Sequence, residues 1–241
     1  MKLYKCHLEP HDFLFFVSRD LAKIGVTEKI IHNTALNYAM NYTSRIISFS
    51  SQPDYNRDIE KFQIRVTPAY PLDPVPEIGF SYNAVNDLDI STDALGNYPT
   101  VGKYYKIDLG TIQMMKGKKF FRFTNFEFFA FSFNDFPPRR IIRLGKKDNY
   151  CAVNFEELRE IKMREASKQN IVKPSHPINP LEFYGDFAIN SQFPIVFLSI
   201  PPHSLVMNCG IESGKYLEAK DAKGKLYYIF PPKDKLEEIV E

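Results

Sequence analysis

The stretch KKFFRFTNFEFFAFSF, near the middle of the chain, constrains the fold most. It places eight phenylalanines between positions 120 and 133, and its later part alternates phenylalanine with small residues. A period of two is typical of a β-strand, and burying one phenylalanine contributes about 1.5–3 kcal/mol. We therefore predict a strand with one heavily apolar face and about three in four of these rings in the core. Phe120, Phe121 and Tyr150 are the aromatic candidates for exposure.

The first half of the chain predicts a strand, a helix and a second strand. KLYKCHL, residues 2 to 8, alternates imperfectly but favours a first strand. From Thr27, TEKIIHNTALNYAMNY carries apolar side chains at helical spacing, with Glu28 placed to suit the positive end of a helix. DIEKFQIRVTPAY then alternates as a strand that Pro68 stops.

The second half predicts further strands around one more helix. Residues 71–118 are rich in Pro, Gly, Asn and Asp, which indicates a hairpin-rich excursion from the main body. YCAVNF favours a strand. Asn154 and Glu157 have the spacing of a capping box at the start of FEELREIKMREA, which favours an amphipathic helix. PIVFLSI is typical of a central strand, and SLVMNCGI and KLYYIF favour two more. The order predicts an α+β chain with a ferredoxin-like (RRM-like) core sheet, two main helices and insertions.

Length and composition set broad limits on the class of protein. A chain of 241 residues fits one large domain better than two small ones, and 21 Phe and 14 Tyr without Trp favour strands and flat stacking surfaces. The N-terminal stretch lacks the pattern of a signal peptide, and no segment reaches the ~18 apolar residues of a membrane span. We therefore expect a cytoplasmic protein. Cys6, Cys151 and Cys209 are too scattered for a disulfide framework or zinc site and are expected to be buried thiols.

Positive charge is concentrated in one part of the sequence. The chain has a net charge of only +2, but between Lys116 and Lys147 nine basic residues face two acids, a local balance of +7. The remainder must be net negative. Such polarity predicts one face for an anionic partner. The basic residues are Lys116, Lys118, Lys119, Arg122, Arg139, Arg140, Arg143, Lys146 and Lys147.

The densest part of this segment is RRIIRLGKK, residues 139–147, which we call the basic corner. Phosphate recognition needs fixed cations, and Gly145 would let backbone N–H groups approach an oxygen closely. Arginine forks and neighbouring aromatic rings together are typical of a surface for single-stranded RNA. An equally good interpretation is a solvated, charged sheet edge that discourages aggregation.

The histidines raise the alternative of catalysis. Metal-independent RNA cleavage needs a general acid or base, and His11 or His32, helped by a tyrosine or lysine, would serve. The His11–Asp12 pair lacks the further ligands of a metal phosphohydrolase, so no metal site and no cofactor are predicted. Phosphate-binding glycine loops and the common hydrolase motifs do not occur in the sequence.

Several motifs in a fixed order resemble a known family. LEPHDFLFFVSRDL, IHNTALNYAM, RRIIRLGKK, NPLEFYGDF and PPHSLVMNCGI follow one another as in the Cas-five-like subunit of type I-D CRISPR Cascade complexes. The resemblance extends over most of the chain and is weakest between residues 50 and 118. The order of the motifs carries it, since none is decisive alone.

The resemblance implies a Repeat-Associated Mysterious Protein fold, with residues 1–241 as one domain and residues 71–118 as its inserted thumb. Such subunits hold the 5′ handle of the crRNA, cap the backbone of Cas-seven-like subunits and contact the large subunit. Target DNA is a further candidate partner, and no membrane is involved. Carried over, the helix from Thr27, with His32 and Asn33 on one face, and the basic corner would line the handle.

Three hypotheses of different classes remain. The first is a non-catalytic RNA-binding subunit of a Cascade complex, whose basic segment holds the handle in antiviral defence. The second is a metal-independent endoribonuclease that processes precursor crRNA, as some Cas-five relatives do. The third is a protein-binding scaffold whose charges only keep it soluble.

Overall fold

The structure is a computed structural model that describes residues 1–16, 18–21, 24–41, 54–82, 102–115, 118–133, 137–145, 149–189 and 192–240. Within these ranges the helices are short: α1 (Asn33–Asn41), α2 (Tyr55–Ile59), α3 (Leu236–Val240) and a 3-10 helix at Lys233–Lys235. The remaining regular structure is β-sheet. Strands account for 51% of the structure and helices for 11%.

The main sheet is antiparallel and has six strands. Its order is β11 (Ile141–Arg143), β12 (Tyr150–Glu157), β1 (Lys2–Pro10), β10 (Phe126–Ser132) and β4 (Ile64–Val66), with β5 (Tyr70–Pro71) also paired to β10. The strands predicted for residues 2 to 8 and for the later phenylalanines are thus confirmed, but the single apolar face predicted for the latter is wrong. Both faces of β10 are buried, which makes it the centre of the fold.

The other described strands form four smaller sheets. One contains β13 (Arg159–Ala166), β17 (Gly210–Lys220), β14 (Asp186–Ala188) and β18 (Leu226–Ile229), and a pair joins β15 (Val196–Leu198) to β16 (Leu205–Asn208). A third sheet has the order β2 (Arg19–Leu21), β3 (Ile24–Val26), β7 (Gly102–Ile107) and β6 (Glu77–Tyr82). The fourth is the hairpin of β8 (Gly110–Met115) and β9 (Lys118–Phe123).

Apolar side chains from both faces of the main sheet are buried in separate clusters. One face carries Leu8 and Phe128 against Leu36 and Met40 of α1. The other face packs on β17 and β18, where Leu3, Phe129, Phe131, Leu217 and Ile229 meet. Burial on both sides explains why the phenylalanine-rich strand can be apolar throughout.

The predicted ferredoxin-like fold with two main helices is wrong. The structure is mostly β, with a curled antiparallel sheet, and one helix of nine residues packs on that sheet. That helix begins at Asn33 rather than at Thr27. The residues just before it make other contacts. The Thr27 hydroxyl donates to the Phe16 carbonyl, and Ile31 forms an isolated β-bridge with Ala69.

The second predicted helix, FEELREIKMREA, is also wrong. Residues 155–166 belong to β12 and β13, which follow each other across Leu158. Glu160 has a φ of +52°, and the register with β17 shifts at this point, which is a β-bulge. The apolar residues therefore fit a bent strand that leaves the main sheet and joins the next one.

The prediction for PIVFLSI is wrong, and the prediction for residues 71–118 extends beyond the described residues. PIVFLSI is not a central strand, because β15 covers only three of its residues, pairs only with β16 among the described strands, and exposes Phe197. The predicted excursion contains β6, β7 and β8, but residues 83–101 lie outside the described part. Its assignment as a thumb stays a prediction.

Candidate nucleic-acid interface

The basic corner contains β11, an edge strand of the main sheet. Ile142 and Leu144 point into the core and are buried, so they fix the strand in place. The alternate side chains, Ile141 and Arg143, are exposed. The corner therefore has an anchored apolar side and an outward side that carries charge.

Tyr150 extends the outward surface. It lies directly opposite Arg143 in the register of β11 and β12, so the two side chains share one face of the sheet. Tyr150 is 55% exposed, and its neighbour on this face, Ile141, is 62% exposed. An arginine, an aromatic ring and an aliphatic side chain thus stand together at an open edge, a combination suited to a phosphate and a stacked base.

The other two arginines of the corner lie just before β11. Arg140 places its guanidinium carbon 5.7 Å from the centre of the Phe155 ring, a cation–π contact that orients the side chain. Phe155 packs against the core on the α1 side of the main sheet, the opposite face from Arg143. Arg139 is half-buried. The positive charge of this edge is therefore presented to both sides.

Gly145 makes the bend that follows β11. Its φ is +76°, and a Cβ atom there would lie 2.6 Å from the Phe15 carbonyl oxygen. Only glycine combines that backbone angle with so close an approach. The Leu144 N–H donates to the Asn149 carbonyl across the bend, at 3.0 Å. Lys146 and Lys147, and Lys116 further upstream, lie outside the described residues.

Lys118 and Lys119 are exposed, but they lie on β9, in a different sheet from β11. Phe120 and Phe121 on the same strand, two candidates for exposure, are exposed too. The rings at 126, 128, 129 and 131 are fully buried, so half of the eight phenylalanines are in the core rather than three in four. The single phenylalanine-rich strand is in fact two strands that separate at Thr124, whose hydroxyl donates to the Asp108 carbonyl.

His32 and Asn33 are buried, and their polar atoms bind within the protein. The His32 Nδ1 accepts from the Thr34 N–H at 3.1 Å, while Nε2 lies 3.0 Å from the His203 carbonyl, so Nε2 carries the proton. Burial lowers the pKa of His32 to about 4. The Asn33 amide donates to Glu182 at 2.6 Å. RNA contact at these two residues stays a prediction.

A histidine that the sequence did not single out lies on the same sheet face as Tyr150. His7 on β1 is opposite Asn154 of β12 and Glu127 of β10. Its Nε2 is 3.8 Å from a Glu127 carboxylate oxygen, and the other oxygen accepts from the Tyr70 hydroxyl. Burial lowers the pKa of His7, which keeps the ring neutral at pH 7. Only the strand register reveals this pair, because its members are far apart in sequence.

The described residues contain no group of three or more His, Cys, Asp or Glu side chains able to hold a metal ion. Cys6, Cys151 and Cys209 are free and buried, as predicted, and burial raises the pKa of each thiol. In the same part of the chain, the helices are all too short or too polar to cross a bilayer.

Comparison with known proteins identifies the class. The family model described as type I-D CRISPR-associated protein Cas5/Csc1 matches residues 1–234. Proteins of this class are subunits of CRISPR Cascade complexes. The chain belongs to the type I-D Cas5/Csc1 family, which confirms the resemblance seen in the order of the motifs.

The comparisons with curated proteins and with solved structures gave no match and a weak match, respectively. No curated protein matches the chain. The crystal structure of a CRISPR protein from Archaeoglobus fulgidus is similar, with 10% identity and a TM-score of 0.39, over 95% of this chain and 99% of that one.

Proposed function

We propose that this Cascade subunit binds RNA without cleaving it: it holds the 5′ handle of the crRNA and caps the backbone of Cas-seven-like subunits beside the large subunit. The observation that supports this best is the pairing of Arg143 with Tyr150 at an open sheet edge. Arg139, Arg140 and the lysines after Gly145 supply further charge to the same basic corner.

Each part of the basic corner has a separate task in this proposal. The arginines bind phosphate oxygens through paired N–H donors, which fixes the position of the strand without reading its sequence. Tyr150 stacks on a splayed base, which contributes about 1–3 kcal/mol for any base. Gly145 makes the bend after β11, where its close approach to the Phe15 carbonyl fixes the end of this edge strand.

The alternative of a merely solubilising edge explains less. Charged side chains on an edge strand prevent pairing with other sheets, and arginines alone achieve that. A purely protective edge gives no reason to place the exposed ring of Tyr150 against Arg143. The combination favours a ligand that has both charge and flat rings.

Replacing Arg139, Arg140 and Arg143 together by alanine tests the proposal. We expect handle RNA to bind about tenfold or more weakly, and the slope of log K against log salt to fall by about 2, as for three lost single-strand phosphate contacts. The matched control replaces three exposed lysines elsewhere, Lys162, Lys168 and Lys173, and should change neither quantity much.

The experiment is done on the isolated subunit and on the assembled complex, because neighbours can complete an RNA site. Affinity and salt slope equal to those of the unmodified protein in both settings would remove the basic corner from RNA binding. RNA binding absent from both would favour the protein-scaffold hypothesis.

The endoribonuclease alternative stays open, and one observation supports it. His7, a candidate general base, lies on the same sheet face as Tyr150, opposite Asn154 on β12 and 3.8 Å from Glu127. Repeat RNA incubated with the protein in EDTA tests it. Cleavage that disappears in a His7→Gln variant would support the alternative, and intact RNA at saturated binding would retire it.

A further inference from the structure

The hairpin of β8 and β9 has one face that is apolar and uncovered. Ile112 pairs with Phe121, so both side chains project to one side, and Met114 and Phe123 share that side by alternation. Their exposed fractions are 71% for Ile112, 47% for Phe121, 65% for Met114 and 51% for Phe123. These four side chains define the apolar hairpin face.

This face is not part of the basic corner, and its four side chains belong to none of the apolar clusters formed by the described residues. Among the described strands, β8 and β9 pair only with each other. The hairpin is attached at its base, where the Thr124 N–H and hydroxyl donate to backbone carbonyls at 108–109 and Arg122 pairs with Asp73. A two-stranded hairpin is marginally stable alone in water, so four exposed apolar side chains on it indicate a surface that a partner covers.

The chemistry of the face favours protein over RNA as the occupant. Ile112 and Met114 are aliphatic and offer no flat ring to a base. The rings of Phe121 and Phe123 meet edge to face, with an interplanar angle of 78°, so they do not form a continuous stacking platform. Interdigitating aliphatic and aromatic side chains are typical of the core of a protein interface.

The charges around the face indicate the rim of the partner surface. The sequence from Gly110 to Phe123 contains no acid. Lys119, opposite Met114, is exposed at one end of this face, and Lys118 is exposed next to it on the other face. Opposite charges at the rim guide association and fix the register of an interface. We propose that the apolar hairpin face docks on a neighbouring protein subunit of the same complex, at an apolar surface ringed by acidic side chains.

A photo-cross-linking residue, p-benzoylphenylalanine, placed at position 112 identifies the occupant directly. In the assembled complex with its guide RNA, we expect irradiation to link position 112 to another protein subunit. The matched control is position 113 on the opposite face of the same strand, which should cross-link at least several-fold less. Links from position 112 to RNA, to a second copy of this chain, or at no more than the control level would overturn the proposal.

Paired substitutions test the energetic side of the same claim. Ile112→Ser with Phe121→Ser should reduce incorporation of the subunit into the complex about tenfold or more, while Thr111→Ser with Gln113→Ser should not. Thermal unfolding confirms that both variants fold. Because the basic corner is untouched, handle RNA should bind the isolated Ile112 and Phe121 variant normally, which separates this test from that of the proposed function. Normal incorporation of the folded variant would contradict the docking role.

Discussion

At the scale of single residues, Arg65 is a fully buried cation that joins three parts of the fold. Its side chain lies on β4 and is fully buried, with Glu182 at 2.7 Å and Asp234 at 2.5 Å as its ion-pair partners. Glu182 also accepts from Asn33 at the start of α1. One guanidinium therefore joins the main sheet, the helix and the C-terminal segment.

We predict that Arg65→Met lowers the free energy of unfolding by about 3 kcal/mol or more. Removing one partner of a buried ion pair leaves the other charge without compensation, and such losses are typically about 3–5 kcal/mol. Denaturation with guanidinium chloride measures the change. The control Arg164→Met removes an exposed arginine paired with Glu218 and should cost less than about 1 kcal/mol. Equal effects of the two substitutions would contradict the role of Arg65.

At the scale of elements, the edge strand and the bend after it set the geometry of the basic corner. The bend depends on Gly145, where a left-handed backbone angle and a close approach to the Phe15 carbonyl coincide. Gly224 has a similar φ of +81°, but a Cβ atom there would meet nothing within 4 Å. Substitutions at the two glycines therefore allow the cost of the left-handed backbone angle to be separated from the cost of a steric clash.

Gly145→Ala should weaken handle RNA binding several-fold without changing its salt slope, because the bend moves while every charge remains. The left-handed angle costs about 1–2 kcal/mol for a residue with a Cβ atom, and the clash with Phe15 adds to that. Gly224→Ala carries only the backbone cost and should leave RNA affinity unchanged. RNA affinity that is equal in the two variants would show that the bend does not shape the site.

The elements also show where sequence patterns succeed and where they fail. Local side-chain patterns identified β1, β10 and β12 as strands, although they did not reveal that β10 is buried on both faces. The pattern failed at residues 155–166, since apolar spacing that fits a helix also fits a strand that bends at Glu160 and changes sheets. The prediction of a central strand at PIVFLSI was wrong for another reason. An apolar run does not reveal whether other strands or helices cover it, and Phe197 is exposed.

At the scale of the whole molecule, the sequence predicted where the positive charge lies along the chain, but not which residues surround it in the fold. The basic corner and the exposure of Tyr150 were predicted from local composition. That Tyr150 faces Arg143, and that His7 and Glu127 share this sheet face, depends on the pairing of strands distant in sequence. The structure likewise separates Lys118 and Lys119 from the arginines by placing them on the β8–β9 hairpin.

The most direct test of the central claim is cross-linking of the assembled complex with a crRNA that carries 4-thiouridine in its 5′ handle. Mass spectrometry then identifies the peptides of this subunit that are joined to the handle. We expect handle cross-links within residues 137–157, including Tyr150 or its neighbours. Handle cross-links that fall only on other parts of this subunit, or only on other subunits, would contradict it.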